Sequence, residues 1–161
     1  ASAELYNSAT GTWTTTGSMN VARQYDTATL LQSGQVLIAG GVIDTPTDSV
    51  YAIASAELYN SATGTWTTTG SLNHERYNFT ATLLPNGQVL VAAGEDNVNY
   101  TPTAELYNPS TGIWTYTGSL HNMRTLHSAA LLQSGKVLVA GGVLCSYGGN
   151  IGCNLAEVYM P

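Results

Sequence analysis

Twenty residues occur twice in this chain with a single difference, and that duplication restricts the fold more than any other feature. ASAELYNSATGTWTTTGSMN, from Ala1 to Asn20, returns as ASAELYNSATGTWTTTGSLN from Ala54 to Asn73, with Met19 and Leu72 the only mismatch. A third copy, TAELYNPSTGIWTYTGSL, runs from Thr103 to Leu120, and LAEVY at Leu155 to Tyr159 opens a fourth. Between them lie LLQSGQVLIAGG, LLPNGQVLVAAG and LLQSGKVLVAGG, starting at Leu30, Leu83 and Leu131. Trp13, Trp66 and Trp114 are 53 and 48 residues apart, so the unit is about 50 residues long.

Each unit reads as four short strands, a to d. Strand a covers Asp26 to Leu31, Phe79 to Leu84 and His127 to Leu132. Ser-Gly or Asn-Gly then leads into strand b, Gln35 to Ala39 and its copies, which predicts a two-residue hairpin because a tight turn needs positive φ. Strand b is apolar on both alternating faces, so it should be covered on both sides. Strand c is Ala-Glu-Leu-Tyr-Asn, a turn follows, and strand d carries the Trp in a Thr-rich, β-prone run. No segment has a helical period. The 161 residues form one repeat region: strands c and d at 1–16, complete units at 26–69 and 79–117, and a partial unit at 127–160.

A four-stranded sheet apolar on both faces must stack on copies of itself, and radial stacking about an axis is a β-propeller. The glycine pair closing strand b (Gly40-Gly41, Gly141-Gly142, relaxed to Ala93-Gly94), the Tyr of strand c and the Trp of strand d resemble kelch repeats over essentially the whole chain. WD-type propellers are disfavoured by the longer period and by the lack of Trp-Asp and Gly-His dipeptides. The resemblance implies an all-β, kelch-type propeller to which this chain gives about three blades, half of a six-bladed ring or a segment of a larger one. Thirteen strands are countable, one strand c more than three blades need, and propellers have about four to eight blades. The expectation is self-association, as a head-to-tail homodimer exchanging edge strands, or continuation in a longer array.

Spacing separates scaffold from site. Trp to the following Arg is ten residues in every copy, and Arg to the first residue of the glycine pair is seventeen. Only the loop between strands b and c varies, with 14 residues at Val42 to Ser55, nine at Glu95 to Thr103 and 13 at Val143 to Leu155. Repeat proteins place such insertions on one face, often the binding face. The three arginines, Arg23, Arg76 and Arg124, fall at the start of strand a, so in a propeller they rim the same mouth of the channel as the loops. They can form a guanidinium ring for carboxylates or other anions, as kelch domains binding acidic peptides do, which the resemblance implies. The glutamates Glu4, Glu57, Glu105 and Glu157 recur in strand c with the same period, and the stronger reading is a structural Arg–Glu pair in each repeat.

Cys145 and Cys153 lie in the third variable loop, CSYGGNIGC, where the glycines make a bridge sterically easy; the expectation is a disulfide, against two unpaired thiols. No second Cys or His pair has zinc-ligand spacing. His74 and His121 sit in connections from strand d to strand a, and His127 takes the position of Asp26 and Phe79; all three read as solvated or packed. Asn78-Phe79-Thr80 and Asn99-Tyr100-Thr101 are glycosylation sequons, the second in a variable loop. Some kelch-like propellers are copper-radical oxidases resembling galactose oxidase, which need a Cys near a Tyr, two His and a further Tyr around the metal. Cys145 and Tyr147 are close, but the histidines do not converge by spacing, and no nucleophile motif or phosphate loop occurs. The sequence therefore predicts no enzyme, no cofactor and no metal, with a copper-radical oxidase fragment as a remote alternative.

Charged residues make up 9% of the chain, and four Lys and Arg against ten acids give a net charge of −6, which leaves no basic stripe for nucleic acid. No apolar run approaches the 18 or so residues that span a bilayer. The Thr, Ser, Asn and Gly surface and the paired cysteines point to a secreted, extracellular protein. Ala1 without an initiator Met or signal segment implies processing or excerpting from a longer chain. Near-identity of the first two copies favours a structural or assembly role, and loop divergence favours a binding module for protein, carbohydrate or anionic ligands.

Overall fold

The computed structural model describes residues 1–44, 50–146, 149–152 and 155–161, the stretches 144–146 and 149–152 by their backbone. All regular structure among them is β. In chain order the strands are β1 (Ala3–Asn7), β2 (Thr12–Thr16), β3 (Thr27–Leu30), β4 (Val36–Ala39), β5 (Val42–Asp44), β6 (Val50–Ala52), β7 (Ala56–Asn60), β8 (Thr65–Thr69) and β9 (Thr80–Leu83). There follow β10 (Val89–Ala92), β11 (Ala104–Asn108), β12 (Ile113–Thr117), β13 (Arg124–Thr125), β14 (Ser128–Leu131), β15 (Val137–Ala140), β16 (Val143–Ser146), β17 (Gly149–Gly152) and β18 (Ala156–Tyr159).

These build several small antiparallel sheets: β1-β2, β3-β4-β7-β8, β9-β10-β11-β12 and β14-β15-β18, plus the small sheets β5-β6 and β13-β16-β17. Strands a, b, c and d of each unit thus lie side by side in chain order. No sheet among the described residues closes on itself. The regions between strands b and c, expected as loops, instead carry the hairpins β5-β6 and β16-β17. Their backbone polar groups would otherwise need solvent, and local pairing satisfies them.

The turn from strand a to strand b also differs from its expected form. Leu31 donates its N–H to Gln35 O and Gly34 to Leu31 O, and only Gly34 has positive φ, at 83°. Ser33 keeps ordinary backbone, so this is the three-residue loop with a glycine bulge rather than a two-residue turn. Gly87 and Gly135 repeat it at 84° and 81°.

Alternation on strand b fixes how the sheets stack. Val89 and Val91 of β10, with Tyr107 and Trp114, pack against Leu37, Ala39 and Ala56 of the sheet before. Leu90 and Ala92, with Ala104, pack against Val137 and Val139 of the sheet after. Val89 and Val91 are fully buried, and burial of such side chains contributes about 1.5–3 kcal/mol each. The first strands line up along one side, with β9 between β3 and β14.

Candidate functional site

Each sheet junction holds one buried guanidinium. Arg23 Nη2 meets Glu57 Oε1 at 3.0 Å, Arg76 Nη2 meets Glu105 Oε1 at 2.9 Å, and Arg124 Nη2 meets Glu157 Oε1 at 2.8 Å. The pairing follows from the strand period, because Glu and Tyr of strand c share the face turned to the preceding sheet. Glu4 is exposed and has no ion-pair partner among the described residues. Each paired carboxylate also grips the incoming crossover. Glu57 accepts from the Asn20 backbone and side chain and from Val21 N–H, at 2.8 to 3.0 Å. Glu105 does the same with Asn73 and His74, and Glu157 with His121 and Asn122.

Burial raises the Glu57 carboxyl pKa, but the hydrogen bonds from Asn20, Arg23 and Val21 outweigh it and leave it lowered. At Glu157 burial works the same way, and His121, Arg124 and Asn122 bring the carboxyl down to about 2. Arg76 is lowered by burial, with Glu105 opposing.

The second task of each arginine is at the variable segment. Arg23 Nη1 donates to Gly40 O at 2.9 Å and to Ser55 O at 2.8 Å, the two ends of the first insertion. Arg76 Nη1 joins Ala93 O and Thr103 O, and Arg124 Nη1 joins Gly141 O and Leu155 O. One planar fork therefore staples both flanks of an insertion whatever its length. The Arg23, Arg76 and Arg124 side chains are fully enclosed, so none of these guanidinium groups presents an open face to a ligand.

Beside these clasps runs a row that the sequence did not mark. Tyr25, Asn78 and Leu126, each two residues after its arginine, have φ of 57°, 52° and 54°. For Tyr25 and Leu126 this costs roughly 1–2 kcal/mol each, and less for Asn78, since asparagine visits the left-handed region more readily. Close contact enforces it: Asn78 donates its N–H to Tyr25 O and Leu126 to Asn78 O, while Gly41 and Gly94 press against the same segments from the neighbouring turn. Tyr25 and Leu126 are 60% and 65% exposed, so strained backbone presents an aromatic and an aliphatic side chain to solvent. Tyr25 and Tyr77 lie with ring centroids 6.4 Å apart.

Glu95, first residue of the second insertion, gathers Tyr77 Oη at 3.0 Å, Asn78 Nδ2 at 3.0 Å and Thr125 Oγ1 at 2.7 Å. Burial, then Glu95, pushes the Tyr77 hydroxyl up to about 12. His74 Nε2 meets Asp96 Oδ2 at 2.9 Å. His127 is buried, with Nε2 on Thr80 Oγ1 at 2.9 Å, and burial followed by the Arg124 charge pushes it down to about 4. Asp26, at the matching position, is raised by burial.

Asn78 is committed to Glu95, whereas Asn99 is exposed in a turn closed by Asp96. The bridge expected between Cys145 and Cys153, and the Cys145–Tyr147 pair, lie outside the described residues. Among the described residues no three His, Cys, Asp or Glu gather as a metal site, and no helix is long and apolar enough to cross a membrane. Neither a protein-family model nor a curated protein matches the chain.

Proposed function

We propose that this chain is a run of kelch-type β-propeller blades acting as a non-catalytic, extracellular module for assembly or protein binding. The observation that carries the reading is the arginine staple. Three insertions of 14, nine and 13 residues spring from one invariant anchor, which lets their sequences change without disturbing the sheets. The stacking of successive sheets with their first strands side by side supports a propeller, because that arrangement curves about an axis when continued. Partners are a second copy of the chain or a protein or glycan ligand on the insertion face.

A neutral sugar suits that face better than an anion. The arginines are enclosed, while the exposed Tyr25 beside Tyr77 offers an aromatic surface next to the Glu95 carboxylate, which disfavours an anion. Binding of a panel of soluble oligosaccharides and acidic peptides to the chain and to its Tyr25→Ala variant tests this. Saturable sugar binding lost in the variant supports it, and equal binding by both would overturn the sugar reading. Stoichiometric copper with a Tyr–Cys crosslink, seen by mass spectrometry, would overturn the non-catalytic reading.

A further inference from the structure

We infer that the amino-terminal hairpin β1–β2 of a second copy docks on the carboxy-terminal sheet and takes the place of β18 on β15. The inference rests on the self-association reading above. The two internal junctions show what a complete joint contains. A strand-c Tyr hydroxyl meets a Thr of the preceding sheet, Tyr59 with Thr16 at 2.6 Å and Tyr107 with Thr69 at 2.7 Å. A strand-d Trp donates to a glycine carbonyl, Trp66 to Gly17 at 2.7 Å and Trp114 to Gly70 at 2.8 Å. The same glycines press on the turn glycines Gly64 and Gly112, leaving no room for a Cβ.

The third junction has only half of this. Tyr159 meets Thr117 at 2.8 Å and Glu157 meets Arg124, but no strand d lies beside β18 among the described residues. Gly118, the equivalent of Gly17 and Gly70, has open space around its Cβ position. A groove of about 460 Å³ lies there, lined by Leu90, Ala92, Leu120, Val139 and Tyr159 among others. The other half of the joint stands uncovered at the opposite end of the chain. β1 is Ala-Glu-Leu-Tyr-Asn, the strand-c motif, and β2 carries Trp13, 63% exposed and tilted at 45° to Tyr6 with ring centroids 5.0 Å apart. By contrast Trp114, in a completed joint, is 5% exposed.

Among the described residues β18 is paired along one edge only, to β15, so what a docked hairpin adds is the strand d that is absent beside it. Its acid keeps short contacts, Arg124 at 2.8 Å and His121 N–H at 2.6 Å, while Gly141 N–H reaches Leu155 O at 3.4 Å where Gly40 reaches Ser55 O at 3.1 Å. Asn7, Asn60 and Asn108 each end a strand c and cap the next turn through Oδ1, but the fourth copy has Met160 there, followed by Pro161. In the docked hairpin, Glu4 takes over the ligands of Glu157, Tyr6 meets Thr117, and Trp13 donates to Gly118 O. The occupant is a second copy because the two halves of the joint, β1–β2 and the β14-β15 sheet, lie at opposite ends of the stack with two full sheets between them.

Sedimentation equilibrium of the full chain over a wide concentration range tests the joint. The expected result is a particle of twice the 16.9 kDa chain mass, with a blue shift of tryptophan fluorescence as it forms. Gly118→Ala adds a methyl to open space in the single chain but against the Gly11 carbonyl in the joint, so it should stay at chain mass with an unchanged circular dichroism spectrum. Trp13→Ala, at an exposed site, should do the same. A doubled mass that survives Gly118→Ala overturns this joint and leaves self-association standing. A wild-type chain that stays at 16.9 kDa throughout overturns both.

Discussion

Arg76 shows how much one side chain can be asked to do. Its guanidinium is fully buried, neutralises Glu105 and holds the carbonyls of Ala93 and Thr103. Arg76→Met keeps the apolar stem but leaves Glu105 buried and unpaired, so urea denaturation should show a loss of about 3 kcal/mol or more. Arg76→Lys should not restore it, since an ammonium cannot reproduce the planar fork. His127 makes a pH prediction. Its folded pKa of about 4 lies below the ordinary 6.5, so the unfolded chain binds the extra proton first. Its contribution is present above pH 6.5 and is lost as pH falls towards 4, by at most about 3 kcal/mol. His127→Phe, the residue type at Phe79, should flatten that part of the stability curve; an unchanged slope between those pH values would count against the assignment.

Between elements, the closest approach is glycine against glycine. Gly70→Ala forces its methyl on the Gly112 carbonyl and should destabilise by about 1–3 kcal/mol, whereas Gly118→Ala, with open space, should change stability of the single chain by less than about 0.5 kcal/mol. Thermal melts of the two variants make the comparison directly. The last strand is acid-sensitive. Glu157, held down to about 2 from 4.5, stabilises β18 fully above pH 4.5 and ceases to do so as pH falls through about 2. Amide exchange in β18 should therefore accelerate over that window.

For the molecule as a whole, stability is a sum over stacked sheets and their junctions. The sheet β9-β10-β11-β12 is covered on both faces, so its amides should exchange slowest, and those of β1-β2 and β18 fastest. Equal protection of β1 and β10 in the single chain would contradict that order. The sequence by itself determined the strands, their antiparallel order and the Arg–Glu periodicity, because two-residue alternation and exact repetition are local properties readable from spacing. The turn form, the hairpins inside the insertions and the strained row at Tyr25, Asn78 and Leu126 were not legible. Only the tertiary structure decided those, because they come from backbone of one sheet meeting backbone of the next: Gly41 against Gln24 and Arg76, Asn78 on Tyr25, Leu126 on Asn78. A side-chain pattern says which face is buried, but it carries no record of what the main chain will touch across the junction.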